Sequence, residues 1–207
     1  MSSFPEVWIV RHGEVEARWK RICYGSLDVS LSEAGKLASE RVASRLLHDV
    51  SPRVIYHSGL SRTRYLAEQI ASLAQVNPVM REDVRLQERN YGQWQGLSWD
   101  EAYESDPEHF HDLIEKPKTY RPPEGETTSE MQQRMVQWLG DQEGVDGPVI
   151  ACSHSGPIAA IAGFVKQLPA TKWGPWTIKH LDAICLRQDS VKREEWDVER
   201  PWEGLSN

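Results

Sequence analysis

The chain has little of what marks secreted, disulfide-rich or membrane-spanning proteins. Only three of its 207 residues are cysteines, an odd count without paired spacing, so we expect no disulfide framework and a reducing compartment. No apolar run is long enough to cross a bilayer, and no basic segment followed by an apolar one opens the sequence. These absences predict a soluble, cytoplasmic protein.

Positive charge is also in deficit. Lysine and arginine together number 24 against 31 acidic residues, which gives a formal net charge of −7. An acidic protein repels nucleic acid and anionic membranes at long range, so neither is an expected partner. Any anion that this protein binds must therefore be held by a local cluster of basic side chains.

The sequence contains no internal repeat and no linker, so residues 1–207 are predicted to form a single domain. Apolar strand-like runs alternate with amphipathic helical segments, which is typical of a three-layer α/β fold with a mostly parallel sheet between two layers of helices. This alternation lapses over residues 83–123, which we interpret as an insertion over the active face. Strands are predicted at residues 7–10, 53–56, 76–80, 149–152, 183–186 and 191–196.

Short motifs with chemically capable side chains follow several of these strands. In a parallel sheet the carboxyl ends of the strands share one edge, where functional crevices form. Residues following the first, second and fourth strands should therefore meet in space. The motifs are Arg11-His12-Gly13-Glu14, Ser58-Gly59-Leu60-Ser61-Arg62, Glu88 with Gly92, Trp94 and Gly96, and Ser153-His154-Ser155-Gly156.

Together these residues supply what phosphoryl transfer without a metal requires. A neutral His12 can act as the nucleophile through one ring nitrogen while a backbone carbonyl holds the other. Arg11 and Arg62 can each grip phosphate oxygens with a planar fork that lysine does not reproduce. His154, when protonated, can add a third charge-assisted bond, and Glu88 can protonate the leaving oxygen.

Other readings of these residues remain open from the sequence. Glu88 can be an exposed carboxylate that pairs with Arg85 or Arg89, and His154 can be a purely structural histidine. The basic residues Arg18, Lys20 and Arg21 can bind a second anionic group of the substrate or belong to a solvated loop. His109 and His111 have a spacing that is common by chance, so a polar lid is favoured there over a metal site. His48, His57 and His180 belong to no motif and receive no role.

The ordered motifs resemble those of the histidine phosphatase superfamily, also called the phosphoglycerate mutase-like family. The likeness extends from residue 7 to about residue 160, and Gly125-Glu126-Thr127 and Arg134 resemble two further family elements. The resemblance implies a transient phosphohistidine on His12, and Glu88 as the proton donor. Neither a metal nor a cofactor is expected. It places Arg11, Arg62 and His154 in the phosphate pocket.

The outer part of the site departs from the family pattern. Arg18 stands where many members have asparagine, Ile22 where many have a further arginine, and Ser155 where a glycine follows the second histidine. Residues 23–31 look most like the alpha-ribazole phosphatase and small broad-specificity phosphatase branch. By this resemblance Arg18, Tyr24, Gly25 and Ser155 are expected to contact the substrate.

The leading hypothesis is a phosphomonoesterase whose partner is a small phosphate ester, such as alpha-ribazole phosphate or a sugar phosphate. One rival is a cofactor-dependent phosphoglycerate mutase, which uses the same kind of site as an isomerase. The other is a non-catalytic phosphate-binding module. A homodimer is left open.

Overall fold

A six-stranded sheet runs through the centre of the protein in a computed structural model that describes residues 4–188 and 196–202. The strands are β1 (Val7–Arg11), β2 (Val54–His57), β3 (Val79–Glu82), β4 (Val149–Ser153), β5 (Ala183–Gln188) and β6 (Trp196–Glu199). Their spatial order is β3-β2-β4-β1-β5-β6. The first four strands in this order are mutually parallel, β5 is antiparallel to β1, and β6 is antiparallel to β5.

Helices cover both faces of this sheet. The α-helices are α1 (Glu33–Asp49), α2 (Ser61–Leu73), α3 (Trp99–Ser105), α4 (Asp112–Glu115), α5 (Thr128–Gly140) and α6 (Ser155–Val165). Side chains of α1 and α2 join one core cluster, and those of α5 and α6 join the cluster on the opposite face. The predicted three-layer α/β fold with a mostly parallel sheet is confirmed.

The two central strands explain why continuous apolar runs become strands here. Successive residues of β1 point to opposite faces, so Ile9 packs against the α5 and α6 layer while Val10 packs against the α1 and α2 layer. Every residue of β4 is buried. Each fully buried aliphatic side chain stabilises the fold by about 1.5–3 kcal/mol.

Several helix ends agree with the sequence, and one does not. Ser32 caps α1. A serine or threonine followed three residues later by glutamate predicts capping boxes at Ser98 and Thr127, and both are present. The sequence also predicts that Ser61 caps the helix after the second strand, which is wrong because Ser61 is the first helical residue of α2. The carboxylate of Asp28 accepts from both the backbone N–H and the hydroxyl of Ser61 at 2.7 Å, so a distant loop supplies the cap.

Strand boundaries were predicted less well towards the edges of the sheet. The third strand begins at Val79 rather than at residue 76, because Pro78 has no N–H to contribute and the exposed edge carries no apolar pattern. The strand predicted at residues 183–186 is confirmed within β5. The one predicted at 191–196 overlaps β6 only at Trp196. The sequence also predicts a hairpin turn about Gln188-Asp189-Ser190, but residues 189–195 lie outside the described residues.

The reversed direction of β5 brings the start of that strand to the edge where β1 ends. The backbone N–H of Arg11 donates to the carbonyl of Asp182, and that of Leu181 donates to the carbonyl of Arg11, both at 3.0 Å. Residues just before β5 therefore lie beside the residues that follow β1.

Residues 83–123 contain short helices and no strand. Within them Trp94, Ala102 and Leu113 form a small apolar cluster with Cys23. The backbone N–H of Cys23 donates to the carbonyl of Leu97 at 2.8 Å, which fastens this segment to the loop after β1. Its description as an insertion, and the single-domain boundary, stay predictions.

The three cysteines are buried and free. Among the residues that the structure describes, no helix has the length and apolar character needed to cross a membrane.

Candidate active site

The predicted convergence at the carboxyl edge of the sheet is present. Arg11 is the last residue of β1, His154 follows β4 directly, and Arg62 is the second residue of the helix after β2. The imidazole rings of His12 and His154 lie with their centroids 5.0 Å apart. Side chains that are far apart in the chain thus share one small site.

His12 is buried and held in a defined tautomer. Its Nδ1 lies 2.7 Å from the carbonyl oxygen of Gly13, which can only accept, so Nδ1 carries the proton. Burial, reinforced by the charge of Arg62, holds the pKa of His12 well below its usual range. The ring is therefore neutral at physiological pH, and its Nε2 has a lone pair available for nucleophilic attack.

The guanidinium group of Arg62 is fully buried and fixed by three acceptors. It donates to the carbonyl of Leu27 at 2.6 Å, to the carbonyl of Gly25 at 2.7 Å, and through Nε to Nδ1 of His154 at 3.3 Å. Each terminal nitrogen uses one N–H in these bonds and keeps a second one. Arg62 is thus pre-oriented and retains two donors for an anion.

His154 is also neutral, with both ring nitrogens engaged. Since Arg62 Nε can only donate, Nδ1 of His154 accepts, and Nε2 donates to the hydroxyl of Ser58 at 2.9 Å. Ser58 in turn lies 2.8 Å from the Thr63 hydroxyl. Burial and the Arg62 charge hold the pKa of His154 well below its usual range. This geometry favours a His154 that positions Arg62 over one that supplies a third positive charge.

Arg11 is held by residues near the start of β5. It donates to the carbonyl of Ile178 at 2.7 Å and, through its other terminal nitrogen, to Nε2 of His180 at 3.1 Å. The His180 ring centroid lies 5.4 Å from that of His12. Burial, followed by the Arg11 charge, lowers the pKa of His180 to about 4.

Neither His180 nor Ser58 was given a role from the sequence. Ser58 lies inside a motif, but only its contact with His154 reveals what it does. The signal for His180 is subtler, because it lies beyond all four motifs. His180 precedes β5, and only the antiparallel pairing of β5 with β1 shows that residues before β5 reach the functional edge.

The side-chain carboxylate of Glu88 lies against the N-terminal end of α6. One carboxylate oxygen accepts from the backbone N–H of Gly156 at 3.3 Å, and the other from the backbone N–H of Arg89 at 2.9 Å. A β-carbon at position 156 would clash with Glu88 Oε1. Glycine at this position therefore lets the carboxylate approach the helix end, where the peptide dipoles favour a negative charge.

An ion pair buttresses the backbone of Glu88. Arg134 contacts Glu126 at 2.8 Å and also donates to the carbonyl of Glu88 at 3.2 Å. Neither arginine that could have neutralised Glu88 does so. Arg85 pairs with Asp83 and Asp141, and the Arg89 side chain donates to Thr128 and to the carbonyl of Glu126. The carboxylate is left available for chemistry.

The residues expected to contact substrate divide into two groups. Tyr24 lies with its ring centroid 5.2 Å from Cζ of Arg62, and the carbonyl of Gly25 orients that arginine. Ser155 is the first residue of α6, next to His154. Arg18 is not brought into the phosphate pocket, because its side chain is 70% exposed and pairs with Glu16 at 2.7 Å.

Two fixed guanidinium groups and a neutral histidine lie at one edge of the sheet, and both positive charges act on that histidine. No group of three or more His, Cys, Asp or Glu side chains is placed to hold a metal ion in residues 4–188 and 196–202. Such an arrangement can bind a tetrahedral dianion beside a nucleophile, which is what phosphoryl transfer to a histidine requires.

Comparison with known proteins identifies the family. The chain belongs to the histidine phosphatase superfamily, branch 1, whose model matches residues 7–202. This membership confirms the predicted family and supports a phosphoric monoester hydrolase.

Individual relatives differ in their names. A metal-independent phosphoserine phosphatase from Arabidopsis thaliana is 26% identical over 94% of this chain and 82% of its own. A probable phosphoglycerate mutase from Erwinia tasmaniensis is 34% identical over 80% of this chain and 76% of its own. The structure of alpha-ribazole phosphatase from Shigella flexneri has a TM-score of 0.77 over 94% of this chain and 95% of its own. At 17% identity, that last likeness concerns the fold alone.

Proposed function

We propose that the protein is a metal-independent phosphomonoesterase that transfers phosphate from a small phosphorylated metabolite to His12 and then to water. Family membership and the phosphatase among its relatives support the hydrolase class. The observation that carries the proposal is the state of His12, whose proton is held at Nδ1 by Gly13. The other ring nitrogen, Nε2, keeps its lone pair, and the charges of Arg62 and Arg11 both act on this ring.

In the first step, the lone pair of His12 Nε2 attacks phosphorus and the bond to the ester oxygen breaks. Because the dianionic phosphate beside it disfavours a second negative charge, Glu88 binds a proton when the ester is bound. It gives this proton to the ester oxygen, so the alcohol leaves neutral. Arg11 and Arg62 stabilise the charge on the three remaining phosphate oxygens.

In the second step, water attacks the phosphohistidine and the P–N bond breaks. The Glu88 carboxylate, formed in the first step, takes a proton from the water. Inorganic phosphate leaves, and both His12 and Glu88 return to their starting states. No atom in this cycle is contributed by a metal ion or a cofactor.

A rapid-quench experiment with a phosphate ester labelled in its phosphoryl group tests the proposal. We expect an acid-labile, base-stable phosphoenzyme on His12, and its loss together with turnover in His12→Asn. Turnover should persist in a chelator. Absence of the intermediate, or undiminished turnover in His12→Asn, would exclude this mechanism.

The mutase relative makes phosphoglycerate isomerisation a second candidate. A mutase must keep the phosphohistidine from water, so the two functions differ in product. Incubation with 3-phosphoglycerate should release inorganic phosphate rather than form the 2-isomer. Tight phosphate binding with no phosphoenzyme would instead indicate a binding module.

The substrate itself, alpha-ribazole phosphate, a sugar phosphate or another small ester, is part of the proposal. A screen of phosphorylated metabolites for released phosphate identifies it. The cytoplasmic location, the absence of a nucleic-acid partner and the homodimer stay predictions, and sedimentation analysis of the purified chain measures the last.

A further inference from the structure

A cavity of about 490 Å³ opens beside the phosphate site, between the loop after β1 and residues at the start of α3. Two of its lining residues also contact the phosphate-binding arginines. Tyr24 lies against Arg62, and His180 accepts from Arg11. An ester held by the two arginines can therefore place its alcohol portion in this space, which we call the outer cavity. Its lining includes Val15, Trp19, Ile22, Tyr24, Trp99 and His180.

The outer cavity has aromatic walls. The Trp19 ring meets Tyr24 edge-on at 6.5 Å, and the Trp99 ring meets Tyr91 edge-on at 5.3 Å. The backbone N–H of Trp99 donates to the carbonyl of Arg21 at 3.0 Å. Because this bond ties the two walls to one another, the space between them is formed before a ligand enters.

The charged lining residues lie at the rim or are already paired. Glu14, Lys20 and Arg21 are exposed, and the half-buried Glu16 pairs with Arg18 at 2.7 Å. Val15 is buried and Ile22 half-buried. The one serine in the lining, Ser32, is already engaged as the cap of α1. An alcohol portion rich in hydroxyl groups would find few free partners here besides the indole N–H of Trp19. Hydroxyl groups that lose water without a replacement hydrogen bond cost free energy. A flat apolar ring would instead gain contact with two indole rings.

We propose that the outer cavity selects phosphate monoesters whose alcohol portion carries a planar apolar ring. This inference rests on the proposed function, since it assigns the substrate class of the same site. Trp19, which belongs to none of the four motifs, is a specificity-determining residue in this proposal.

A matched pair of substrates tests the proposal. 2-Phenylethyl phosphate and n-propyl phosphate have alcohols of similar leaving ability and differ in the ring. We expect kcat/KM to favour the phenylethyl ester by about tenfold or more, the gain typical of burying an apolar ring. Equal kcat/KM values would overturn the proposal while leaving the phosphatase function intact.

Binding of the corresponding phosphonates separates this proposal from the catalytic one. Neither 2-phenylethylphosphonate nor propylphosphonate can be hydrolysed, so calorimetric titration measures the outer cavity without turnover. If the protein prefers the phenylethyl phosphonate but hydrolyses no ester, the proposed phosphatase function is overturned and the proposed selectivity of the outer cavity is retained. Equal binding of the two phosphonates would overturn the proposed selectivity, whether or not the protein is an active phosphatase.

Variants of Trp19 locate the effect. The indole N–H of Trp19 is buried and makes no hydrogen bond to a described residue, so Trp19→Phe removes little besides ring area. We expect Trp19→Phe to keep most of the preference for the phenylethyl ester and Trp19→Ala to lose at least threefold of it, on the order of the lost ring contact. Trp176→Ala is the control, because Trp176 packs on the core and does not line the cavity. An unaltered ratio in Trp19→Ala would contradict the assignment.

Discussion

Nε of Arg62 donates a hydrogen bond to Nδ1 of His154. An arginine nitrogen cannot accept, so this single contact fixes which nitrogen of the histidine carries the proton. It also means that His154 is neutral and positions the guanidinium group of Arg62. From the sequence, a protonated His154 was expected to add a positive charge to the phosphate pocket. In the structure His154 instead accepts a hydrogen bond from Arg62 and donates one to Ser58.

A pair of substitutions at His154 distinguishes support from charge. Glutamine offers an acceptor and a donor in place of the two ring nitrogens, whereas alanine offers neither. We expect His154→Gln to retain at least tenfold more kcat/KM than His154→Ala, because a hydrogen bond to a charged group contributes about 1.5–3 kcal/mol. Equal losses in both variants would indicate that His154 acts as a cation. The exposed His48→Ala substitution is the control.

Glu88→Gln should separate substrates by leaving group. An alkyl alcohol must be protonated as it departs, whereas an activated aryl oxyanion leaves unaided. We expect kcat/KM for alkyl phosphates to fall by about 10²–10⁴-fold, the usual contribution of a general acid, and that for 4-nitrophenyl phosphate far less. Glu104→Gln, at an exposed site, should change neither rate. Equal slowing of both substrates would remove Glu88 from this role.

Gly156→Ala should reduce activity without unfolding the protein. The added β-carbon would meet the tip of the Glu88 side chain, which can rotate away at little cost in stability. We expect kcat for alkyl phosphates to fall at least tenfold, because a displaced acid no longer reaches the leaving oxygen. Gly140→Ala is a matched control, since a β-carbon there meets nothing within 4 Å. Full activity in Gly156→Ala would contradict the placement of Glu88.

His180 should act through Arg11. Phenylalanine removes the acceptor for the Arg11 guanidinium, and glutamine restores an acceptor at a similar reach. We expect the inhibition constant for inorganic phosphate to rise about tenfold in His180→Phe and much less in His180→Gln, in keeping with one charge-assisted hydrogen bond. If both variants bind phosphate like the parent, Arg11 does not depend on His180.

Stability should fall as the pH is lowered from 7 towards 5. The native state holds the pKa values of His12 and His154 well below 6.5 and that of His180 at about 4. The unfolded chain protonates these rings near pH 6.5, so it binds more protons between that value and the native pKa. The free energy of unfolding then declines by about 1.4 kcal/mol per pH unit for each ring. Denaturant titrations across this range measure the slope.

The His12→Asn variant provides the comparison for that slope. Asparagine does not titrate, so the free energy of unfolding of this variant should decline less steeply with falling pH, by up to about 1.4 kcal/mol per pH unit. Above pH 7.5 these rings are neutral in both states, and the parent and the variant should then show parallel curves. A slope unaffected by the substitution would mean that the native fold does not lower the pKa of His12.

The sequence was sufficient where one local pattern determines the outcome. The buried strand ending at Arg11 and the capping box at Thr127 depend on neighbouring residues, and both were predicted correctly. Rules about strand ends were enough to bring His12 and His154 together. The family resemblance added the position of Glu88.

What the sequence missed depends on contacts between distant segments. Asp28 displaces Ser61 as the cap of α2 because a loop 33 residues away in the chain reaches the helix end. The protonation state of His154 depends on Arg62, and the environment of His180 depends on the direction of β5. Periodicity and spacing within one segment carry no information about such partners.

The antiparallel course of β5 sets a limit on how small a working fragment can be. A fragment ending at residue 165 would contain every recognisable motif and all of α6. It would lack Ile178 and His180, the two groups that hold Arg11, and the strand that covers the open side of β1. The shortest catalytically active fragment must therefore extend well past the Ser153-His154-Ser155-Gly156 motif and include β5.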